Sequence, residues 1–268
     1  MIIDAHVHFG KMLRFDMKKE YVLYAMEQYG ISKMLVSNCE STECDFDQNR
    51  LPYEHQVPQI VSAERAVSFA RENPGKIYAA IWMKPLSEEC DARLQMFIKG
   101  NLDVIKALKF HPYHSAVPFD DERVESYMDL AEQYDLPVIT HTGNSFCDNV
   151  DRVLNMAKRH PNVKFVMAHL GLGTDNQRAI EIAAKTPNIY GDTAWVPMLS
   201  TIQFINQVGP DKLMFGSDLP IDGPETYSKN RYDQRSLYQD YFHELPKYIS
   251  AENYEKLMGK NASRLFGL

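Results

Sequence analysis

His6 and His8 stand two residues apart in the run Ile2-Ile3-Asp4-Ala5-His6-Val7-His8. On an extended strand that spacing turns both imidazoles to one face, with Asp4 on the same side. Three polar groups on a face turned to a protein interior are costly unless something satisfies them. A divalent ion of the zinc class does so, because neutral imidazole binds it well, at about 2.0–2.1 Å. Similar groups recur further on: Thr140-His141, Ala168-His169 and Ser217-Asp218 each close an apolar run and precede a loop containing Gly or Pro. Singly, His141 and His169 read as satisfied core histidines and Asp218 as a turn residue. Five such residues converging on one end of one sheet read as a metal site. Lys109-Phe110-His111-Pro112 adds an ammonium and another imidazole that alternate onto one face. Arg14, Trp82, Lys84 and Trp195 fall near the same end. Cys39 has no base beside it in sequence, so a buried free thiol is its expected state.

Such a convergence needs a scaffold. Apolar, β-branched runs beginning near Ile2, Lys33, Ile77, Val104, Leu136, Val163, Asn188 and Lys212 predict eight strands. The stretches between them carry helix signals. Pro58 to Asn73 spaces Ile60, Ala63, Val67 and Ala70 along one face and stops at Asn73-Pro74-Gly75. Asp120 to Tyr134 and Val150 to His160 behave alike. Strands alternating with helices require a parallel sheet. The first strand is followed by no Gly-rich phosphate loop, which disfavours an open doubly wound sheet. The expectation is α/β: a single (β/α)8 TIM barrel over residues 1–268, with the site at the C-terminal mouth of the strands. The long loops at 39–58 and 219–232 are then expected to wall the pocket.

Composition agrees with that scaffold. The chain has 268 residues, 44% of them hydrophobic, which is enough for a large core without disulfides. Charged residues at 24% exclude wholesale disorder. An excess of 36 acidic over 29 basic residues, net −7, disfavours nonspecific binding to nucleic acid or to an anionic membrane. Four cysteines are too scattered for a zinc ribbon or a disulfide framework. Without a leader pattern or a long apolar run, the expected location is the cytoplasm.

Taken in order, Asp4-x-His6-x-His8, Lys109-Phe110-His111-Pro112, His141, Ala168-His169-Leu170-Gly171, Gly216-Ser217-Asp218 and the closing Gly259-Lys260-Asn261-Ala262-Ser263-Arg264-Leu265-Phe266 resemble the amidohydrolase superfamily. More narrowly they resemble its amidohydrolase-related branch, which includes aminocarboxymuconate semialdehyde decarboxylase and resorcylate decarboxylases. The resemblance implies a distorted TIM barrel holding one divalent ion, or two, at its mouth, with Zn²⁺ first and Mn²⁺ second. It implies His6, His8 and His141 as ligands, and Asp218 as a ligand that also acts as base beside a metal-activated water. His169 would hydrogen-bond a substrate oxygen or bind a second ion. Lys109 stays open between a carboxylated bridge and a plain ammonium that pairs with Asp4 or a substrate carboxylate. Lys109, His111, Arg14 and Trp195 are expected to meet substrate. The resemblance also implies a homodimer.

The leading expectation is therefore a metal-dependent hydrolase, attacking an ester, lactone or amide of a small carboxylated or aromatic substrate. The alternative is a nonoxidative decarboxylase, and both chemistries use the same five residues. A nuclease is disfavoured. TatD-type deoxyribonucleases share the His-x-His strand but use Glu on strand four, where this chain has Lys109, and net −7 leaves no phosphate-binding footprint. The intact set of His6, His8, His141, His169 and Asp218 speaks against a binding protein that has lost its chemistry.

Overall fold

A computed structural model describes residues 1–268. All eight expected strands form, together with one more. They are β1 (Ile2–Met12), β2 (Phe15–Met17), β3 (Ile31–Asn38), β4 (Ile77–Trp82), β5 (Ile105–Phe110), β6 (Val138–Gly143), β7 (Phe165–Leu172), β8 (Ile189–Asp192) and β9 (Leu213–Met214). Helices follow most of them: α1 (Lys19–Tyr29), α2 (Gln59–Glu72), α3 (Ala92–Lys99), the short α4 (Pro112–Ser115), α5 (Glu125–Gln133), α6 (Val150–Arg159), α7 (Gln177–Lys185) and α8 (Met198–Val208). One sheet runs in the order β2-β1-β3-β4-β5-β6-β7-β8-β9. Every pairing is parallel except the β1–β2 hairpin, which the sequence reading did not anticipate.

The sheet is curled, and its two ends are tied by backbone hydrogen bonds. Ala5 N donates to Phe215 O (2.9 Å), His8 N to Leu219 O (2.7 Å) and Asp218 N to His6 O (2.8 Å). The regular ladder nevertheless stops at β9, which is two residues long, and only an isolated Val7–Leu219 bridge continues it. What forms is thus a curled, mostly parallel sheet that has the eight expected strands but lacks the regular β9–β1 ladder that would close the expected barrel. The reason is local. Asp218 takes a left-handed backbone (φ 60°), which no regular strand accommodates.

Two cores flank the sheet. Outside, Val36, Ile81, Val138, Met167 and Phe215 pack in one cluster with Ala63 and Val67 of α2, Met156 of α6 and Ile180 of α7. Inside, Leu35, Ala80, Ala107, Ile139, Val166 and Met214 form a second cluster with Ala262 and Phe266 from the last helical turns. Each large apolar side chain so buried contributes about 1.5–3 kcal/mol. Two residues beyond Ala80, Ala107 and Ile139, on the same face, come Trp82, Lys109 and His141. The apolar layer thus gives way to polar groups at the C-terminal ends of the strands. No helix is long and apolar enough to cross a membrane.

Candidate metal centre

The register of β1 against β3 shifts between Asp4 and Val7. Such an irregularity breaks strict alternation, so Asp4 does not share the histidine face as expected. Its buried carboxylate accepts from Tyr227 (2.6 Å), from the backbone N–H groups of His6 and Ser217 (both 3.1 Å), and from the Ser217 hydroxyl. Burial raises its carboxyl to about 7 despite those bonds. Asp4 braces β1 against the segment after β9 and is no partner for Lys109.

The imidazoles beyond the shift are each anchored from behind. His6 Nδ1 donates to Asp192 Oδ2 (2.8 Å), His8 Nδ1 meets Ser37 Oγ (2.7 Å), and His169 Nδ1 donates to the Ala194 carbonyl (3.0 Å). A carboxylate or carbonyl behind Nδ1 keeps the proton there and turns the Nε2 lone pair to the cavity. His169 reaches the cluster through a left-handed backbone (φ 69°). His6 Nε2 and His8 Nε2 are 3.1 Å apart, and Asp218 Oδ1 lies 3.4 Å from the first and 3.0 Å from the second. Ligands held about 2.1 Å from a tetrahedral ion stand roughly 3.4 Å apart, so this triangle is of the right size. His6, His169 and Asp218 each offer one ligand atom, all within 4.8 Å of one another. Nitrogen donors with one carboxylate fit a first-row divalent ion. Gly216 makes the approach possible, because a Cβ there would sit 2.9 Å from His6 Cβ.

The charge states suit the same role. Burial, then the Lys109 ammonium, holds the His6 imidazole well below its usual range, and burial likewise lowers His8. Burial, then His141, pushes His169 down to about 3. Burial alone would raise Asp218, but the His8 hydrogen bond and the imidazoles of His6, His8 and His169 overcome it and hold the carboxyl far below its usual range. Three neutral imidazoles and one carboxylate result.

The other side of the cavity is built from flat rings. Trp82 stacks on His111 at 5.4 Å and 13°, and His111 on His141 at 3.9 Å and 12°. His141 Nε2 is turned to Asp148 Oδ2 (3.4 Å), while its ring lines the same cavity as the donors. Buried Lys109 donates to His6 Nε2 (2.9 Å), and burial brings its ammonium down to about 8 against the pull of Asp192 and Asp218. Met12, Cys39 and Ile221 complete the wall. Burial pushes the Cys39 thiol up, and it donates to the Phe9 carbonyl, so it is the inert thiol expected.

Three expected mouth residues lie elsewhere. Arg14 is exposed and sits over the rings of Phe15 and Phe46, at 5.3 and 4.9 Å. Lys84 is buried and ties down the loop after β3 through the Val57 carbonyl (2.9 Å). Trp195 stays outside the cavity and donates from behind to Asp218 Oδ2 (2.8 Å). Asp192 was missed, although it closes the Ile189–Asp192 run as His141 and Asp218 close theirs. Besides holding His6, it accepts from the backbone N–H groups of His169 and Ala194.

The amidohydrolase family model matches residues 3–268, and the chain belongs to that family. No curated protein matches the sequence. Among solved structures, the fold is similar to a 5-carboxyvanillate decarboxylase from Novosphingobium aromaticivorans complexed with manganese and 4-hydroxy-3-methoxy-5-nitrobenzoic acid. The TM-score is 0.71 at 12% identity, covering 100% of this chain and 96% of that one. A dihydroxybenzoic acid decarboxylase from Polaromonas sp. JS666, with bound manganese and 2-nitroresorcinol, gives 0.71 at 14% identity over 100% and 97%. A 4-oxalomesaconate hydratase from Rhodopseudomonas palustris gives 0.69 at 15% over 100% and 96%. At these identities the likeness establishes the fold.

Proposed function

We propose that the protein is a metal-dependent nonoxidative decarboxylase of a small aromatic acid bearing a ring hydroxyl beside its carboxylate. The observation that carries the reading is the stack of Trp82, His111 and His141 facing the His6, His8, His169 and Asp218 donors. A planar ring fits a flat wall, and a hydroxyl or carboxylate on its edge then reaches the donors. The manganese-bound decarboxylases of like fold support this choice over the hydrolase first expected. His6, His8, His169 and Asp218 would hold one divalent ion, Mn²⁺ or Zn²⁺, with His141 turning in from Asp148 as a further ligand. That ion supplies positive charge to the oxygen edge of the substrate.

The remaining chemistry belongs to the chain. Lys109 attracts the substrate carboxylate. Ionised Asp218 takes the proton of the ring hydroxyl on Oδ1 and passes it to the ring carbon that carries the carboxylate. The carbon–carbon bond then breaks, its electron pair returns to the ring, and carbon dioxide leaves; a solvent proton restores the hydroxyl. Trp195, donating to Oδ2, keeps Oδ1 aimed at the cavity. The cavity leaves about 50 Å³ free, so its wall must yield for a ring to enter, and Met12 lies in that wall. Met12 is a flexible side chain suited to that.

The test incubates protein reconstituted with Mn²⁺ or Zn²⁺ with a panel of hydroxybenzoates and a panel of aryl esters and lactones. Carbon dioxide release from hydroxybenzoates, with little acid release from the second panel, is the expected result. Acid release without carbon dioxide would return the protein to the hydrolases.

A further inference from the structure

A second cleft shares β1 and the end of β3 with the metal cavity: Gly10 lies two residues past His8, and Asn38 adjoins Cys39. It measures about 370 Å³, within the roughly 300–1,000 Å³ of small-molecule sites. Lys11, Lys18, Lys19 and Arg65 line it, against Asp16 and Glu40. Arg65 pairs with Glu40 and Lys19 with Glu72 (3.0 Å), whereas Lys11 and Lys18 have no carboxylate partner. Helix α1 starts in the same cleft. Its N-cap, Lys18, provides no side-chain bond to the first N–H groups, which leaves donors there, although Glu20 in the first turn offsets part of that end's positive charge.

An independent observation points to a ligand. Asn38 is 1% exposed, and its Nδ2 has no hydrogen-bond partner. Its Oδ1 accepts from Ser62 Oγ (2.9 Å) and Glu40 N (3.3 Å), which fixes the amide orientation and leaves the amine as the orphan. That amine faces Gly10 (φ 101°), where a Cβ would lie 2.7 Å from it and 3.0 Å from Glu40 Cγ, so the glycine leaves a gap between the amine and the Glu40 side chain at the edge of the cleft. A buried donor left unpaired is costly and calls for an acceptor.

We infer that this cleft is a second ligand site, distinct from the metal cavity, for a small oxyanion with two negative charges: a phosphate monoester or a dicarboxylate. Asn38 Nδ2, Lys11, Lys18 and the start of α1 would hold it. None of these groups takes part in the proposed decarboxylation.

Calorimetry on the purified full chain tests this with inorganic phosphate, phenyl phosphate and phthalate as probes. Saturable binding with Kd below about 1 mM is expected for at least one of them, and the tighter organic probe names the class. Asn38→Ala should weaken it at least tenfold. Because that change also breaks the Ser62 and Glu40 contacts, the surface pair Lys11→Glu/Lys18→Glu provides a second arm and should abolish binding. Lys109→Met, in the metal cavity, should leave it unchanged. Absence of saturable binding by all three probes overturns the proposal. So does binding that survives Lys11→Glu/Lys18→Glu or disappears in Lys109→Met.

Discussion

On the β1, β7 and β9 side of the cavity each reactive group is oriented by a hydrogen bond behind it, whereas on the β4 to β6 side the rings stack on one another, with His141 also turned to the Asp148 carboxylate. His6 leans on Asp192, His8 on Ser37, His169 on the Ala194 carbonyl and Asp218 on Trp195. Trp82, His111 and His141 instead lie nearly parallel, and Trp82 Nε1 has no partner at all. Hydrogen bonds fix the direction of a lone pair, which a metal ligand needs. Stacking fixes a plane and leaves direction within it loose, which a flat ligand tolerates. The two halves should therefore fail differently when damaged.

The largest effect is expected from the hydrogen-bonded half. Removing both strand-one imidazoles, His6→Ala/His8→Ala, should take metal from near one equivalent per chain to none by elemental analysis, and turnover with it. Removing His111 from the stacked half should leave metal in place. Metal retained by the double variant would undo the division of labour.

Asp218→Asn comes next. The imidazoles can hold an ion without it, since three protein ligands are common in catalytic zinc sites. The amide keeps size and one oxygen but not the ability to carry a proton. Metal should be largely retained while kcat falls on the order of 10²–10⁴-fold. A loss of only a few-fold would make Asp218 structural.

How much of this contrast was legible in the sequence depends on the force involved. Strand periodicity announced the eight parallel strands, and the polar residue closing an apolar run announced His141, His169 and Asp218. The stacked wall was not legible, because Trp82, His111 and His141 come from β4, the residue after β5 and β6, and their ring planes depend on packing. Nor was the slip in β1, which sends Asp4 to Tyr227 rather than into the cavity. Asp192 was legible in principle, as a carboxylate at a strand end, but it lacks a neighbouring motif. Trp195 was placed near the mouth for its position, yet its left-handed backbone (φ 60°) lets it serve Asp218 from behind.

His114 extends the ring cluster, 4.6 Å from His111, and is buried with Nδ1 donating to the Cys44 carbonyl (3.0 Å). Burial pushes its imidazole down to about 4. Between about 4 and the ordinary value near 6.5 the unfolded chain binds the extra proton, so stability rises with pH across that window. The contribution is fully present above about 6.5 and lost as pH falls to about 4; it amounts to roughly 3 kcal/mol. Urea unfolding of His114→Gln should show a shallower loss of stability from pH 7 to pH 4.5 than wild type. Equal slopes would mean that other groups carry the acid sensitivity.

Asp192→Asn probes the support behind His6 rather than a ligand. It should weaken metal affinity by about 10–100-fold, the usual effect of losing a carboxylate behind a ligating histidine. Saturating metal should then restore most of kcat. If saturation restores nothing, Asp192 acts in the reaction and not by positioning His6.

The smallest effect should come from Trp82. An aromatic pair contributes about 0.5–1.5 kcal/mol beyond the area it buries, so Trp82→Leu should raise KM roughly two- to twelve-fold while kcat and metal content hold. Trp82→Phe keeps a ring on His111 and removes an indole N–H that pairs with nothing in the protein. It should therefore leave stability undiminished and KM within about twofold of wild type, because the stacking partner survives. The comparison of the two variants isolates the plane from the donor. If Phe raises KM as much as Leu, the indole N–H is itself a contact to substrate, and this half of the site also recognises its ligand by direction.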